Sequence, residues 1–259
     1  MRIVFPYLPP FVKTMNTKKH IAGFTLVELA IVMIIIGLLI GGILKGQELI
    51  QNAKISSTIA QYKGILAAHH TFKDTYKYAP GDLPLAIANA RIPNCAASGC
   101  LGGNGNIQLG TPLLPGTPIA STENIEYWKH LALTDFITSV DPNAPTNPAL
   151  AIAGVSNPTA NVGGVWNAFT PISTHQNLAG YGNKSRGVML EIASHPQTRG
   201  VANTPSTALK IDLKLDDGMP NTGSVAAELQ TAGCDNGDVA TSVYQNVDII
   251  GCIIYFTLD

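Results

Sequence analysis

The chain has 259 residues, of which 46% are hydrophobic and only 13% charged, with a formal net charge of −1. Arg2, Lys13, Lys18 and Lys19 all precede Gly23 with no acidic residue among them, so the remainder carries about −5. That balance does not support nucleic-acid binding through counterion release, and beyond the apolar N-terminal stretch about 180 residues remain, enough for one domain with its own core.

Residues 1–23 form a basic leader whose start is open between Met1 and Met15; a start at Met15 would make Met1–Thr14 a start-site artefact. From residue 24 to 44 the chain is apolar apart from one carboxylate, Glu28. A carboxylate in hydrocarbon is expensive, so a plain anchor has no reason to carry one. A cleavable secretory signal has a shorter apolar core and a small-residue site after it. Here Leu29 to Leu44 gives 16 uncharged residues followed by Lys45-Gly46-Gln47-Glu48, with no such site. The positive leader places the N-terminus in the cytoplasm and the rest across the membrane.

The order basic leader, Gly23-Phe-Thr-Leu-Val-Glu28, apolar span closely resembles the processing site of type IV prepilins and type II secretion pseudopilins. The resemblance implies that a prepilin peptidase/methyltransferase cuts between Gly23 and Phe24 and methylates the new amine of Phe24. It also implies that Glu28 pairs with the Phe24 amine of a neighbouring subunit, offsetting two desolvation penalties at once. The partners it implies are copies of the chain or related pilins, an inner-membrane assembly platform and a cytoplasmic ATPase. The chain itself has no phosphate-loop motif.

From residue 45 to 78 the apolar run becomes amphipathic. Leu44, Leu49, Ile50, Ala53, Ile55, Ile59, Tyr62, Leu66, His69, Phe72 and Tyr76 recur at roughly three- and four-residue steps. No proline occurs between Phe24 and Pro80, so one helix of about 50 residues, roughly 75–80 Å long, is predicted. Gly37, Gly41, Gly42 and Gly46 allow close helix packing in lipid and loosen the helix outside it. His69-His70 on this stalk reads as ordinary packing or surface.

Residues 79–259 form the predicted head. Pro80-Gly-Asp-Leu-Pro84, a small cysteine loop, Gly102-Gly-Asn-Gly105 and three further prolines make residues 80–120 turn and loop chemistry. Gly102–Gly105 does not sit between a strand and a helix, so it is no phosphate cradle. A helix is predicted from Ser121-Thr122-Glu123, with Ile125, Trp128, Leu131, Ala132 and Phe136 on one face. Residues 141–186 read as irregular. Gly187–Ile192 and Asp248–Leu258 read as strands. Thr204–Leu215 alternates like a strand, but Thr204-Pro205 is a good helix start, and a short helix is preferred. Pro-Gly-Asp-Leu-Pro, Tyr127–Leu131 and residues 211–223 resemble segments of prepilin-type proteins much less specifically than the processing site does.

Cys95, Cys100, Cys234 and Cys252 all follow the membrane segment, and an even number in an oxidising compartment favours disulfides. Three pairings are possible, and closure of Cys95 with Cys100 is the simplest, leaving Cys234 with Cys252. Neither pair has zinc spacing, and no histidine is near either in sequence. Asp212, Asp216 and Asp217 are the best metal candidates, because calcium takes several hard oxygens from a tight turn. They lack the ligand alternation of an EF-hand, and Asp-Asp-Gly is also a common turn. Some pseudopilins carry calcium near the C-terminus, so the resemblance implies calcium as the one possible cofactor. No nucleophile elbow, metalloprotease motif or cysteine–histidine context is present.

The expected fold class is therefore α+β, a long helical spine on a small antiparallel sheet with long loops. The expected function is structural rather than enzymatic: a subunit of a type IV pilus or type II secretion pseudopilus, first in the inner membrane with a periplasmic head. The alternative is a minor tip pilin whose loops act in binding, adhesion or DNA uptake.

Overall fold

A computed structural model describes residues 24–110, 123–171, 187–196, 200–229, 233–235, 242–247 and 249–258. The elements in chain order are helices α1 (Leu26–Tyr76), α2 (Leu85–Arg91) and α3 (Glu123–Leu133), strands β1 (Val165–Phe169) and β2 (Met189–Ala193), helix α4 (Pro205–Leu215), and strands β3 (Val225–Leu229) and β4 (Cys252–Thr257). Contacts divide the chain into two units, residues up to Glu48 and residues from Leu49 onward. The fold is α+β.

The second unit is built on an antiparallel sheet of order β1-β2-β4-β3. Both faces of the sheet are covered. Trp166, Leu190, Ile192, Ile254 and Phe256 pack with Ile55, Tyr62, Ile65 and Phe72 of α1 and with Trp128 of α3. Phe169, Met189, Ala226, Ile253 and Tyr255 form a separate cluster on the opposite face. Two covered faces explain why these strands do not alternate apolar and polar residues.

The buried stripe of α1 runs through Ile55, Thr58, Tyr62, Ile65, Ala68, His69, Phe72 and Tyr76. Leu44, Leu49, Ile50 and Ala53, expected on the packing face, are exposed. The contacts that dock α1 begin at Gln51, whose Nε2 donates to Thr207 Oγ1 (3.4 Å). Lys214 donates to Ser56 Oγ (3.1 Å), Val162 N donates to Thr58 Oγ1 (3.1 Å), and Tyr62 donates its hydroxyl to the Thr257 carbonyl (2.8 Å). Aromatic contact between Tyr62 and Phe256, with centroids 4.9 Å apart, completes the seat.

Three elements correct the sequence expectation. The stretch 141–186 contains β1, a fully buried strand bracketed by Gly163-Gly164 and Thr170-Pro171. The loop region 80–120 contains α2, which starts after Pro84 with no side-chain cap. Val225–Leu229, assigned no structure from sequence, is β3, an alanine-containing segment made a strand by pairing with β4. The preferred helix at Thr204 is α4, with Thr204 Oγ1 accepting from Thr207 N (3.3 Å) and proline in its first turn. Ser121 and Thr122 lie outside the described residues, and α3 begins at Glu123.

Candidate functional site

The first unit of the chain is the apolar half of α1. Its large side chains from Phe24 to Leu44 are exposed, and α1 is long and apolar enough to cross a membrane. Around Gly37, Gly41, Gly42 and Gly46 no atom lies within 4 Å of where a β-carbon would sit. The single chain therefore gives no internal packing reason for these glycines.

At the start of the helix, Thr25 N and Thr25 Oγ1 both donate to Glu28 Oε2 at 2.8 Å, and Glu28 N donates to Thr25 Oγ1 at 3.3 Å. This is a reciprocal capping box: the hydroxyl satisfies one amide of the first turn while the carboxylate returns to the cap amide. Glu28 therefore has a partner within its own chain. The Thr-x-x-Glu spacing is visible in the sequence, but the sequence reading gave Glu28 only an intermolecular role. Gly23 lies outside the described residues.

The family model for the prokaryotic N-terminal methylation motif matches residues 18–44. The chain carries the type IV prepilin and pseudopilin signature. That motif marks structural pilin-type subunits, which assemble with other pilins and are substrates of prepilin peptidase. The motif runs into the one described helix that is long and apolar enough to cross a membrane. No curated protein and no solved structure matches it.

The three acidic candidates meet at the end of α4 and in the turn that leads to β3. Asp212, Asp216 and Asp217 place carboxylate oxygens within 4.8 Å of one another. Asp212 Oδ1 accepts from Gly218 N (3.1 Å) and Oδ2 from the Tyr244 hydroxyl (2.8 Å). Asp216 accepts from Ser224 N and, at 3.3 Å, from Val225 N. Asp217 accepts from Met219 N (2.9 Å) and from Thr222 Oγ1 (2.5 Å). Gly223 has φ 77°, and any β-carbon there would fall on the Asp216 carboxylate, so only glycine lets the turn close. Burial pushes the Asp212 carboxyl up to about 6; the Tyr244 and Gly218 hydrogen bonds oppose the shift, and the charges of Asp217 and Asp216 add to it. Asp216 Oδ2 already accepts two hydrogen bonds, but the other carboxylate oxygens accept at most one in the contacts above, and with two lone pairs each they keep capacity for a cation. The donor set therefore fits a hard, oxygen-seeking ion.

The other polar cluster is structural, and the sequence did not show it. The face of α3 opposite its apolar stripe is not solvated: Glu123, Glu126, Lys129 and His130 are all buried. Together with Asp82 they hold the segment 98–110. Asp82 accepts from Gly105 N (2.8 Å), Asn106 N (3.1 Å) and Ile107 N (2.7 Å). Glu123 accepts from Asn104 N (3.2 Å) and Gly110 N (3.0 Å), Glu126 from Leu101 N (3.1 Å), and Lys129 donates to the Ser98 carbonyl (2.6 Å). Burial raises the Asp82 carboxyl while its three amide bonds pull the other way, and burial lowers the Lys129 ammonium. Within this loop the amides of Asn104 and Gly105 thus go to carboxylates of the same chain and that of Gly103 to the Leu83 carbonyl. Gly81 (φ 83°) packs where a β-carbon would meet the Glu123 carbonyl at 2.3 Å, so the Pro-Gly-Asp-Leu-Pro segment needs its glycine.

Cys95 bonds Cys100, and Cys234 bonds Cys252. Although no histidine is near the first pair in sequence, the fold brings a ring nitrogen of His130 within 4.8 Å of both sulfurs. Gly81 N donates to His130 Nδ1 (3.0 Å), so the ring proton is on Nε2, 3.3 Å from Glu126 Oε2. With the sulfurs joined and the free lone pair already used, these side chains are a structural knot and offer no metal ligand set. His69, read as packing, is buried with Nδ1 3.2 Å from the Tyr127 hydroxyl.

Proposed function

We propose that this chain is a structural prepilin-type subunit that is cut between Gly23 and Phe24, methylated at Phe24, and assembled into a type IV pilus or type II secretion pseudopilus through α1. The observation that carries this reading is the methylation motif at residues 18–44 leading into one 51-residue helix with an exposed apolar half. Before assembly the chain spans the inner membrane once, with residues 24–44 in the bilayer and the head from residue 79 in the periplasm. Residues 45–78 join the two. An assembly platform and a cytoplasmic ATPase supply the work of extraction. Gly37, Gly41, Gly42 and Gly46, whose surroundings are open in the single chain, allow neighbouring helices to approach closely.

Glu28 then has two successive partners. The Thr25 capping box holds its carboxylate in the separate subunit, and the Phe24 amine of a neighbour replaces it in the filament. Two opposite charges placed together in an apolar bundle offset each other's desolvation, and an unpaired one does not. Glu28→Gln is expected to leave the chain in the membrane fraction but deplete it from sheared filaments by an order of magnitude or more. Normal incorporation of the variant, measured by quantitative immunoblotting of both fractions, would remove this role for Glu28.

For the head, calcium at Asp212, Asp216 and Asp217 is the proposed cofactor. It would relieve the crowding of three carboxylates at the start of β3. Calcium chloride added to metal-free protein is expected to raise Tm, and Asp212→Asn is expected to abolish that rise. Equal Tm with calcium and with chelator in the unsubstituted chain contradicts the assignment.

A further inference from the structure

Beyond filament assembly, we propose that a cleft at the C-terminal end of α1 binds an organic carboxylate. The cleft has a volume of about 310 Å³, within the size range of small-ligand pockets. His69 and Lys73 lie four residues apart on α1, Lys77 follows the last helical residue, and all three line the cleft. Tyr78, Ile107 and Val188 supply its aromatic and aliphatic walls, and no acidic side chain is among the described residues that line it. The Lys73 and Lys77 ammoniums over an apolar wall fit a ligand with a carboxylate at one end and a small apolar body, while His69, buried with its Nδ1 at the Tyr127 hydroxyl, adds ring surface.

Among the described residues four non-glycine positions have positive φ; Asn94 and Asp135 are of the types that tolerate it, and the other two line this cleft. Lys77 has φ 66° and Ile107 has φ 69°, both in the left-handed region. Lys77 occupies the position after the helix, its amide donating to the Lys73 carbonyl (2.8 Å), where glycine or asparagine is the usual residue. A β-branched residue such as Ile107 is a marked outlier in this region. The chain uses glycine for positive φ nearby, at Gly81, Gly102 and Gly105. Gly105 itself lines the cleft, but at two further lining positions the chain keeps a lysine and an isoleucine. Strain of this kind persists where surrounding bonds over-determine it, and it concentrates at ligand clamps. Here the bond is that of Ile107 N to Asp82 Oδ2 (2.7 Å). The helix dipole accounts for a basic residue in the last turn, such as Lys73, but not for a strained lysine after it.

The carboxylate could come from a free acid or from an acidic side chain of another polypeptide, and the test separates these sources. Fluorine NMR on the full chain in detergent uses para-fluorobenzoate, its neutral amide, and an acetyl-glutamate amide peptide as competitor. The carboxylate is expected to bind saturably, and the amide ~10-fold more weakly or less, as befits charge-assisted hydrogen bonds. Lys77→Gly removes both the ammonium and the backbone strain. It is expected to raise Tm while weakening fluorobenzoate ~10-fold, a combination that a purely structural lysine does not produce. Displacement by the peptide assigns the ligand to a polypeptide; lack of displacement assigns it to a free acid. Absence of saturable binding, equal binding of the amide, or unchanged affinity in Lys77→Gly overturns the proposal.

Discussion

Asp82→Ala is expected to destabilise the head by about 3–5 kcal/mol. Three backbone amides, those of Gly105, Asn106 and Ile107, end on this one buried carboxylate. Hydrogen bonds to a charged group contribute ~1.5–3 kcal/mol each, and a set sharing one acceptor does not add fully. Alanine leaves all three amides to find water or stay unpaired, and Ile107 loses the bond that holds its left-handed conformation. At ~2–4 °C per kcal/mol for a domain of this size, Tm should fall by about 10 °C. Asp82→Asn is not a mild control, because its amide nitrogen would face a donor. Thermal unfolding read by circular dichroism, with hydrogen exchange at residues 105–107, checks the prediction. A fall below about 1 kcal/mol with those amides still protected would show that the segment is held by something else.

The second large effect concerns the disulfides, which should differ in worth. Cys95 and Cys100 are 5 residues apart, Cys234 and Cys252 18 apart. Loop-closure entropy gives ~2 kcal/mol for the short loop and ~3 kcal/mol for the long one. The long one also ties the segment before β4 to the first residue of that strand, which lies inside the sheet. The short loop has other attachments, through Lys129 to Ser98 and Leu101 to Glu126. Replacing Cys234 and Cys252 by serine should therefore lower Tm further than replacing Cys95 and Cys100, as differential scanning of the two double variants would show. The reverse order would mean that the Cys95–Cys100 loop carries the His130 knot.

How much of this molecule could be read in its residues depended on whether the determining contacts were local. The proline-free run of α1 and the Thr204-Pro205 start of α4 are local signals, and each led to the right element, while the equally local Gly23–Glu28 junction lies within the matched motif. β1 and β3 were missed for a tertiary reason. Val165–Phe169 is buried on both faces and so shows no alternation, while Val225–Leu229 contains alanines and becomes a strand only beside β4. The packing face of α1 was placed too early because Leu49 and Ile50 are apolar, although both are exposed and the buried stripe starts at Ile55. The polar face of α3 looked solvated, since nothing in Glu123, Glu126, Lys129 and His130 announces that a segment some 20 residues earlier will cover them. The turn at Asp212–Asp217 was legible as a carboxylate cluster, but the Tyr244 hydroxyl that reaches Asp212 was not.

The central claim is that this is a processed, pilin-type subunit, and its most direct test is the mature N-terminus. Intact-mass and N-terminal peptide mass spectrometry of the chain isolated from membranes should show residues 1–23 removed and Phe24 carrying one added methyl group. An unprocessed leader, or cleavage after the apolar run near Lys45, would contradict it.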